Sequence, residues 1–141
     1  SQTARIRSDP YVSRTHQPRQ ENQGETRGIR METKSTGKFL LSAPRKIRLV
    51  ADEIRGYSYP EAMDILRFIP RKGSRYIESV LKTARSNAVS LQKDLREEDL
   101  YIKKVYVDMG PTLKRFRPRA RGRGMRRLKR MSHITIVLSN E

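Results

Sequence analysis

The chain has 141 residues, enough for one domain, and carries 32 Lys and Arg against 15 Asp and Glu, a formal net charge of +17. An excess of this size indicates a polyanionic partner, nucleic acid first and an anionic membrane second. The absence of Cys excludes disulfides and thiolate metal sites, and no apolar run approaches the roughly 18 residues of a membrane span. Because only six Tyr and three Phe are present, recognition of phosphates and of shape is expected ahead of base reading.

Residues 1–30 are polar, show neither a helical nor a strand period, and contain Arg without Lys. Asp9, Glu21 and Glu25 dilute their charge. We interpret this segment as an extended N-terminal tail that orders only on a partner, with an ordinary flexible terminus as the alternative. The short segment Thr33–Leu41 has apolar residues only at its end and predicts an edge strand.

Two helices are predicted next by apolar residues at i, i+3, i+4 and i+7 spacing. The first is expected to begin at Ser42 as N-cap, with Pro44 in its first turn, and to end at Gly56. The second is expected to begin at a capping box on Ser58 and to end at Pro70.

The third and longest helix keeps an aliphatic stripe over Ile77–Leu91, which is typical of a core face and not of a cofactor site. A basic loop around Gly73 is predicted before it. The cations of this loop are Arg71, Lys72 and Arg75, and those on the outer face of the helix include Lys82 and Arg85.

Three cations stand at the start of the first helix, where the helix dipole disfavours positive charge. Either a phosphate attracts them, or they belong to an ordinary solvated face. They are Arg45, Lys46 and Arg48.

The hydrophobic period changes to two after an acidic turn at residues 94–99. Residues 101–109 predict a strand with Val105 and Val107 on one face and Ile102 on the other, and Gly110-Pro111 then breaks or bends it. Residues 132–139 predict a second strand. One face of that strand carries Ile134, Ile136 and Leu138.

Between these strands lies Thr112–Arg130, which holds ten Lys or Arg in nineteen residues and no acid. No core can bury this segment, because unpaired buried charge is too costly. Gly122 and Gly124 near its middle predict a long antiparallel hairpin with its tip at about 121–124. Nine or ten residues per arm would project roughly 30 Å, and a partner must hold so long an arm.

Catalysis is not indicated by any motif. No GxSxG or Ser, His and acid grouping is evident, residues 122–124 lack the strand-to-helix context of a phosphate loop, and metal ligands are not clustered. The paired acids Glu97 and Glu98 suit a solvated turn. His133 precedes an apolar strand, so we interpret it as a strand-end or RNA-contacting residue and not as a general base. We expect no enzyme activity, no cofactor and no metal.

Three binding modes remain open from the residues alone. The arm could lie within folded RNA, or it could enter a groove of DNA as the arm of an architectural protein. It could also act on an anionic membrane, which requires an amphipathic apolar face that Thr112–Arg130 lacks. RNA is favoured because cations occur on every element and no spare apolar stripe suits a dimer face.

Several segments resemble the bacterial-type family of large-subunit ribosomal protein twenty-two over about residues 31–141. The most specific runs are GPTLKR (110–115), RPRARGR (117–123) and KRMSHITIV (129–137), supported by SAPRKIRLVADEIRG (42–56) and YPEAMDILRF (59–68). The chain departs from the family at residues 124–127, and residues 1–30 have no counterpart in its short members.

The resemblance implies an α+β fold, with three helices packed on a small antiparallel three-stranded sheet. Residues 31–141 would form the globular domain, the basic β-hairpin 110–132 would project from it, and residues 1–30 would be the extended tail. It also implies a structural role in the large ribosomal subunit: organising rRNA, supporting assembly, and lining the polypeptide exit tunnel near its constriction. The expected partners are large-subunit rRNA, neighbouring proteins including ribosomal protein four, and the passing nascent polypeptide. The expected location is the cytoplasmic ribosome of a bacterium, with an organellar ribosome as the alternative.

The charge pattern and the resemblance together assign two sets of residues. Those expected to bind RNA are Arg45, Lys46, Arg48, Arg71, Lys72, Arg75, Lys82, Arg85, Lys114, Arg115, Arg117, Arg119, Arg121, Arg123, Arg126, Arg127, Lys129, Arg130 and His133. Those expected to form the tunnel hairpin are Leu113, Lys114, Arg115, Arg119, Ala120, Arg121, Gly122, Arg123 and Gly124.

Overall fold

A computed structural model describes residues 30–140. The tail expected over residues 1–30 lies outside the described residues except for its last position. Three helices and a three-stranded antiparallel sheet confirm the α+β fold class. The elements are β1 (Glu32–Leu40), α1 (Pro44–Ile54), α2 (Tyr59–Phe68), α3 (Lys72–Leu91), β2 (Tyr101–Pro118) and β3 (Gly124–Ser139), with single 3₁₀ turns at Glu97–Asp99 and Ala120–Gly122.

Helix α1 begins one residue later than the sequence predicts. Its N-cap is Ala43, whose side chain makes no capping hydrogen bond, so the predicted Ser42 cap is wrong. The Ser42 carbonyl instead accepts a 3.1 Å hydrogen bond from the Ser132 hydroxyl of β3, which ties the start of the helix to the sheet. Gly56 follows the helix at φ +84°, a left-handed conformation that ends helices and favours glycine.

The boundary between α2 and α3 agrees with the prediction at the start of α2 and differs from it at the start of α3. The predicted capping box is present, and in it the Ser58 amide donates to the Glu61 carboxylate at 3.2 Å. The Ser58 hydroxyl also donates to that carboxylate, at 2.8 Å. The predicted basic loop is wrong, because α3 already begins at Lys72. The Ser74 hydroxyl donates to the carbonyl of Ile69 at 3.0 Å and to that of Arg71 at 2.6 Å, and these bonds close the turn tightly enough for the helix to start early.

The helices pack on one face of a sheet with strand order β1-β3-β2. Ile134, Ile136 and Leu138 of the central strand are fully buried, as the period of two predicts. The aliphatic stripes of α1 and α3 cover them, and Ile47 and Leu81 are likewise fully buried. The core therefore forms between the helices and the body end of β3.

A β-bulge near the start of β2 corrects the predicted face assignment. The pairing register with β3 shifts between Ile102 and Lys104, so Lys103 is an extra residue. Ile102 is consequently buried together with Val105 and Val107, although simple alternation predicts the opposite face. The Lys103 ammonium hydrogen-bonds Glu32 of β1, and this bond lowers the pKa of the Glu32 carboxyl.

A second bulge lies at Gly110-Pro111, where the register shifts between Met109 and Thr112. The sequence predicted that Gly110-Pro111 either breaks or bends the strand. In the structure the strand bends there and continues. A Cβ on Gly110 would lie 3.0 Å from the Met131 carbonyl group, so the close approach of the two backbones favours glycine. Past this point both strands continue beyond the helices.

We expect Ile136→Ala to lower the free energy of unfolding by about 2–5 kcal/mol, since it deletes a buried methylene and two buried methyl groups from the central strand. Urea unfolding of the purified chain measures this. The predicted core stripe of α3 is wrong at its last residue, because the Leu91 side chain is 70% exposed. Leu91→Ala therefore serves as the control and should change stability by about 0.5 kcal/mol or less. Equal losses for both variants would contradict the assignment of the core.

Candidate nucleic-acid interface

The projecting arm is a two-stranded ribbon built from the outer halves of β2 and β3. Seven consecutive pairs join the strands, from Thr112 with Arg130 to Pro118 with Gly124. At about 3.3 Å per residue this ribbon is about 23 Å long, shorter than the nine or ten residues per arm that the sequence suggested. All residues from Lys114 to Arg130 are exposed, so the segment projects without a core of its own.

The tip of the arm is Arg119–Arg123, which begins two residues and ends one residue before the predicted tip at 121–124. The Arg119 amide donates to the Arg123 carbonyl at 2.7 Å, which closes the reversal. Arg121 and Gly122 both adopt left-handed backbone conformations, with φ of +61° and +66°. Gly124 belongs to β3 and not to the turn. This turn brings three exposed Arg together within five residues.

The register divides the arm into two faces, because directly paired residues point to the same side of an antiparallel ribbon. The helix-side face continues the side of the sheet on which the helices pack, and the open face continues the other. The helix-side face consists of Thr112, Lys114, Phe116, Pro118, Gly124, Arg126, Leu128 and Arg130. The open face consists of Leu113, Arg115, Arg117, Met125, Arg127 and Lys129.

Electrostatics within the arm opposes its own folding. Arg115 lies directly opposite Arg127, and like charges at paired positions destabilise a ribbon. The segment Thr112–Arg130 contains no acid that could compensate. Both faces carry cations, so a polyanion that neutralises them would stabilise the ribbon from either side.

A second group of predicted RNA contacts lies on the body. Lys46 at the start of α1 and Arg71 and Lys72 at the start of α3 line one shallow depression. Neither helix has an acid in its first turn or a side-chain cap hydrogen bond on its N-cap residue. The partial positive charge of both helix starts therefore adds to that of the side chains. Arg45 and Arg75 are exposed on the same two helix starts.

Two predicted contacts on α3 have acidic partners within the chain. Lys82 pairs with Glu78 at 2.7 Å, and the hydrogen bond from its ammonium lowers the pKa of the Glu78 carboxyl. Arg85 pairs with Glu97, and its Nε is buried without a hydrogen-bond partner among the described residues. These pairs reduce the positive charge that the outer face of α3 presents to a phosphate, and the RNA assignments of Lys82 and Arg85 stay predictions.

Two further predicted contacts support the sheet. Arg48 donates to the Val107 carbonyl from Nε at 3.2 Å and from Nη2 at 2.9 Å, which ties α1 to β2. The His133 ring accepts a 3.0 Å hydrogen bond at Nδ1 from the Phe39 amide and meets the Phe39 ring edge-on, with centroids 5.0 Å apart. Phe39 sits at φ +57°, where the register of β1 shifts, and His133 helps to hold that turn.

Sequence reasoning missed the exposed aromatic residues. Phe116 is 75% exposed and Phe39 is 61% exposed, both near cations and outside the core. In the sequence, Phe116 and Leu128 look scattered, but the register brings them to one face. A period of two extended through the basic segment would have indicated this face.

Within residues 30–140, no helix combines the length and apolarity needed to cross a membrane. The same residues contain no group of three or more His, Asp or Glu side chains that could hold a metal ion.

Comparison with known proteins shows the family to which the chain is similar. Residues 35–139 match the family described as "Ribosomal protein L22p/L17e". Large ribosomal subunit protein uL22 of Leptospira biflexa serovar Patoc is 54% identical over 109 residues, 77% of this chain and 94% of that protein. The uL22 proteins of Thermus thermophilus (47% over 111 residues, 79% and 97%) and Pediococcus pentosaceus (54% over 107 residues, 76% and 90%) are similar over comparable spans.

In the free protein, amides of the arm between Arg117 and Arg127 should exchange rapidly with solvent, whereas those of Ile134 and Ile136 should be protected. A two-stranded ribbon without a core is marginally stable in water. Hydrogen exchange with and without large-subunit rRNA tests this, and protection of the arm should appear only with RNA. Strong protection of the arm in the free protein would contradict the expectation.

Proposed function

The chain belongs to the ribosomal protein L22p/L17e family, and on that premise we propose that it is a structural constituent of the large ribosomal subunit. Proteins of this family are structural and not enzymes. We propose further that it binds and organises large-subunit rRNA. The observation that carries the proposal is the arm, whose ten Lys and Arg in Thr112–Arg130 are all exposed and have no acid among them.

The proposed mechanism is charge neutralisation on a fixed frame. Folded RNA brings phosphates close together, and their repulsion limits how compact it can become. Lys and Arg that replace condensed counterions release those ions, which makes the binding free energy depend on salt. The β-ladder of the arm holds its cations on two opposite faces. Such an arm can therefore bind phosphates on both of its sides at once.

The body supplies a second anchor in this proposal. Lys46, Arg71 and Lys72 form a cationic depression at the starts of two helices, well separated in sequence from the tip. Two separated contacts fix the direction of the arm as well as its position. The body would rest on the RNA surface while the arm enters it, and the protein would support subunit assembly by holding both regions together.

The finer part of the proposal concerns the exit tunnel. The arm would line the tunnel near its constriction, with the tip Arg119–Arg123 opposite ribosomal protein four and within reach of the nascent polypeptide. A narrow ribbon about 23 Å long without a core suits a channel walled by RNA. The relatives are named as large-subunit proteins and come from bacteria, which supports a bacterial cytoplasmic ribosome as the location. The tail, residues 1–30, would contact neighbouring rRNA or protein.

Sedimentation of a cell extract at moderate salt tests the main proposal. The tagged chain should migrate with large ribosomal subunits, and its depletion should slow their assembly. Migration with nucleoid DNA would instead support a DNA-binding role and contradict the proposal.

The salt slope of rRNA binding is the change in the logarithm of the binding constant with the logarithm of salt concentration. The triple variant Arg119→Gln, Arg121→Gln and Arg123→Gln should reduce the magnitude of this slope by about 2–3, since each lost phosphate contact lowers it by about 0.7–0.9. Its melting temperature should match that of the parent because the tip touches no core. Equilibrium binding to large-subunit rRNA at several KCl concentrations measures the slope.

The matched control removes three cations that have acids nearby, on α2 and around the end of α3. Arg67 pairs with Asp64 at 3.6 Å, Lys93 directly precedes the acidic turn at residues 94–99, and Arg96 lies within that turn. Substitution of all three by Gln should leave the salt slope nearly unchanged. A similar loss of slope in both triple variants, or a large fall in melting temperature for the tip variant, would count against the arm as the RNA contact.

A further inference from the structure

We propose that Phe116 stacks on an unpaired nucleobase, so that the helix-side face of the arm contacts a base in addition to phosphates. This inference rests on the proposed binding of rRNA and adds a contact that carries no charge. From composition, the scarcity of aromatic residues favoured recognition of phosphates and of shape over recognition of bases. The geometry of the arm gives one of the three Phe a different role.

The first observation is that the Phe116 ring is exposed and has cations next to it. Phe116 is 75% exposed on a ribbon that has no core to cover it. Arg126 lies directly opposite it on β3, and Lys114 precedes it on the same face. Each nucleotide combines an aromatic base with a phosphate, so one ligand can occupy the ring and a neighbouring cation together.

The second observation is that the Phe116 ring packs against the β3 backbone at Gly124. A Cβ on Gly124 would lie 1.8 Å from Cε2 and 2.1 Å from Cζ of Phe116. Only glycine therefore allows the ring edge to cross the β3 backbone at this point. Phe116 and Gly124 are diagonal neighbours in the register, since Gly124 pairs with Pro118. When the arm is folded, the absence of a side chain at Gly124 fixes the position of the ring on the ribbon.

Two other roles for the ring are weaker. Aromatic residues do cover glycines in ordinary sheets, where the contact merely stabilises the ribbon, but here most of the ring remains open to solvent. An apolar peptide could also contact it. Burying the ring under such a peptide would desolvate Lys114 and Arg126 without neutralising them, whereas a nucleotide neutralises them.

The chain contains no Trp, so Phe116→Trp introduces a single fluorescent reporter at the proposed site. The full chain is titrated with a ten-nucleotide oligoadenylate and, separately, with inorganic polyphosphate of matched charge, and occupancy is followed by anisotropy of a labelled competitor. Stacking predicts quenching by oligoadenylate and none by polyphosphate at equal occupancy. Phe68→Trp, at a ring that is 86% exposed on α2, is the matched control and should respond to neither.

A second variant measures affinity directly. Phe116→Leu retains apolar volume and charge, and it should weaken oligoadenylate binding about tenfold without changing the salt slope or the affinity for polyphosphate. The melting temperature should stay that of the parent, and Phe116→Tyr should restore binding.

Three results would overturn the inference. The first is equal quenching of Phe116→Trp by both polyanions, and the second is no quenching at full occupancy. The third is a blue shift of the Trp fluorescence of Phe116→Trp when an apolar peptide is added, without quenching by oligoadenylate. That result would indicate that position 116 binds a peptide. Failure of the proposed function is distinguishable, because the parent chain would then not sediment with large subunits whatever the Phe116 variants do.

Discussion

The pairing of β2 with β3 along their whole length is the interaction on which the rest of the structure depends. One uninterrupted strand, β3, has its body end buried in the core and its outer end exposed among cations. Ile134, Ile136 and Leu138 hold the strand under the helices. The backbone ladder then carries that fixed orientation outward to Gly124. The stability of the body therefore determines the direction of an arm that has no core of its own.

Charge is divided between the two parts of the molecule accordingly. On the body, several cations have partners within the chain: Arg48 on the Val107 carbonyl, Lys82 on Glu78 and Arg85 on Glu97. On the arm, Thr112–Arg130 has no acid, and Arg115 faces Arg127 across the ribbon. The body has a hydrophobic core of its own, whereas the repulsion among the cations of the arm is relieved when an anion binds. This difference is the physical basis of the proposed RNA-binding role.

The sequence predicted the element types well because helical and strand periods depend on local burial. It predicted the three helices, the buried face of β3 and the projecting basic hairpin. It failed where an outcome depends on pairing partners. The bulge at Lys103 moved Ile102 to the core face, and the Ser132 hydroxyl engages the Ser42 carbonyl beside the α1 start at Ala43. The contact of the Phe116 ring with Gly124 could not be predicted for the same reason, because predicting it requires the register of the two strands.

The central claim is that the arm is held by large-subunit rRNA. A photo-crosslinking residue placed at Arg121 of the tip, at Arg127 of the open face and, as control, at Leu91 on the exposed side of α3 tests it in assembled subunits. The account predicts crosslinks to large-subunit rRNA from both arm positions, with nucleotides that differ between tip and strand, and far fewer from Leu91. Strong RNA crosslinks from Leu91 with none from the arm would contradict it.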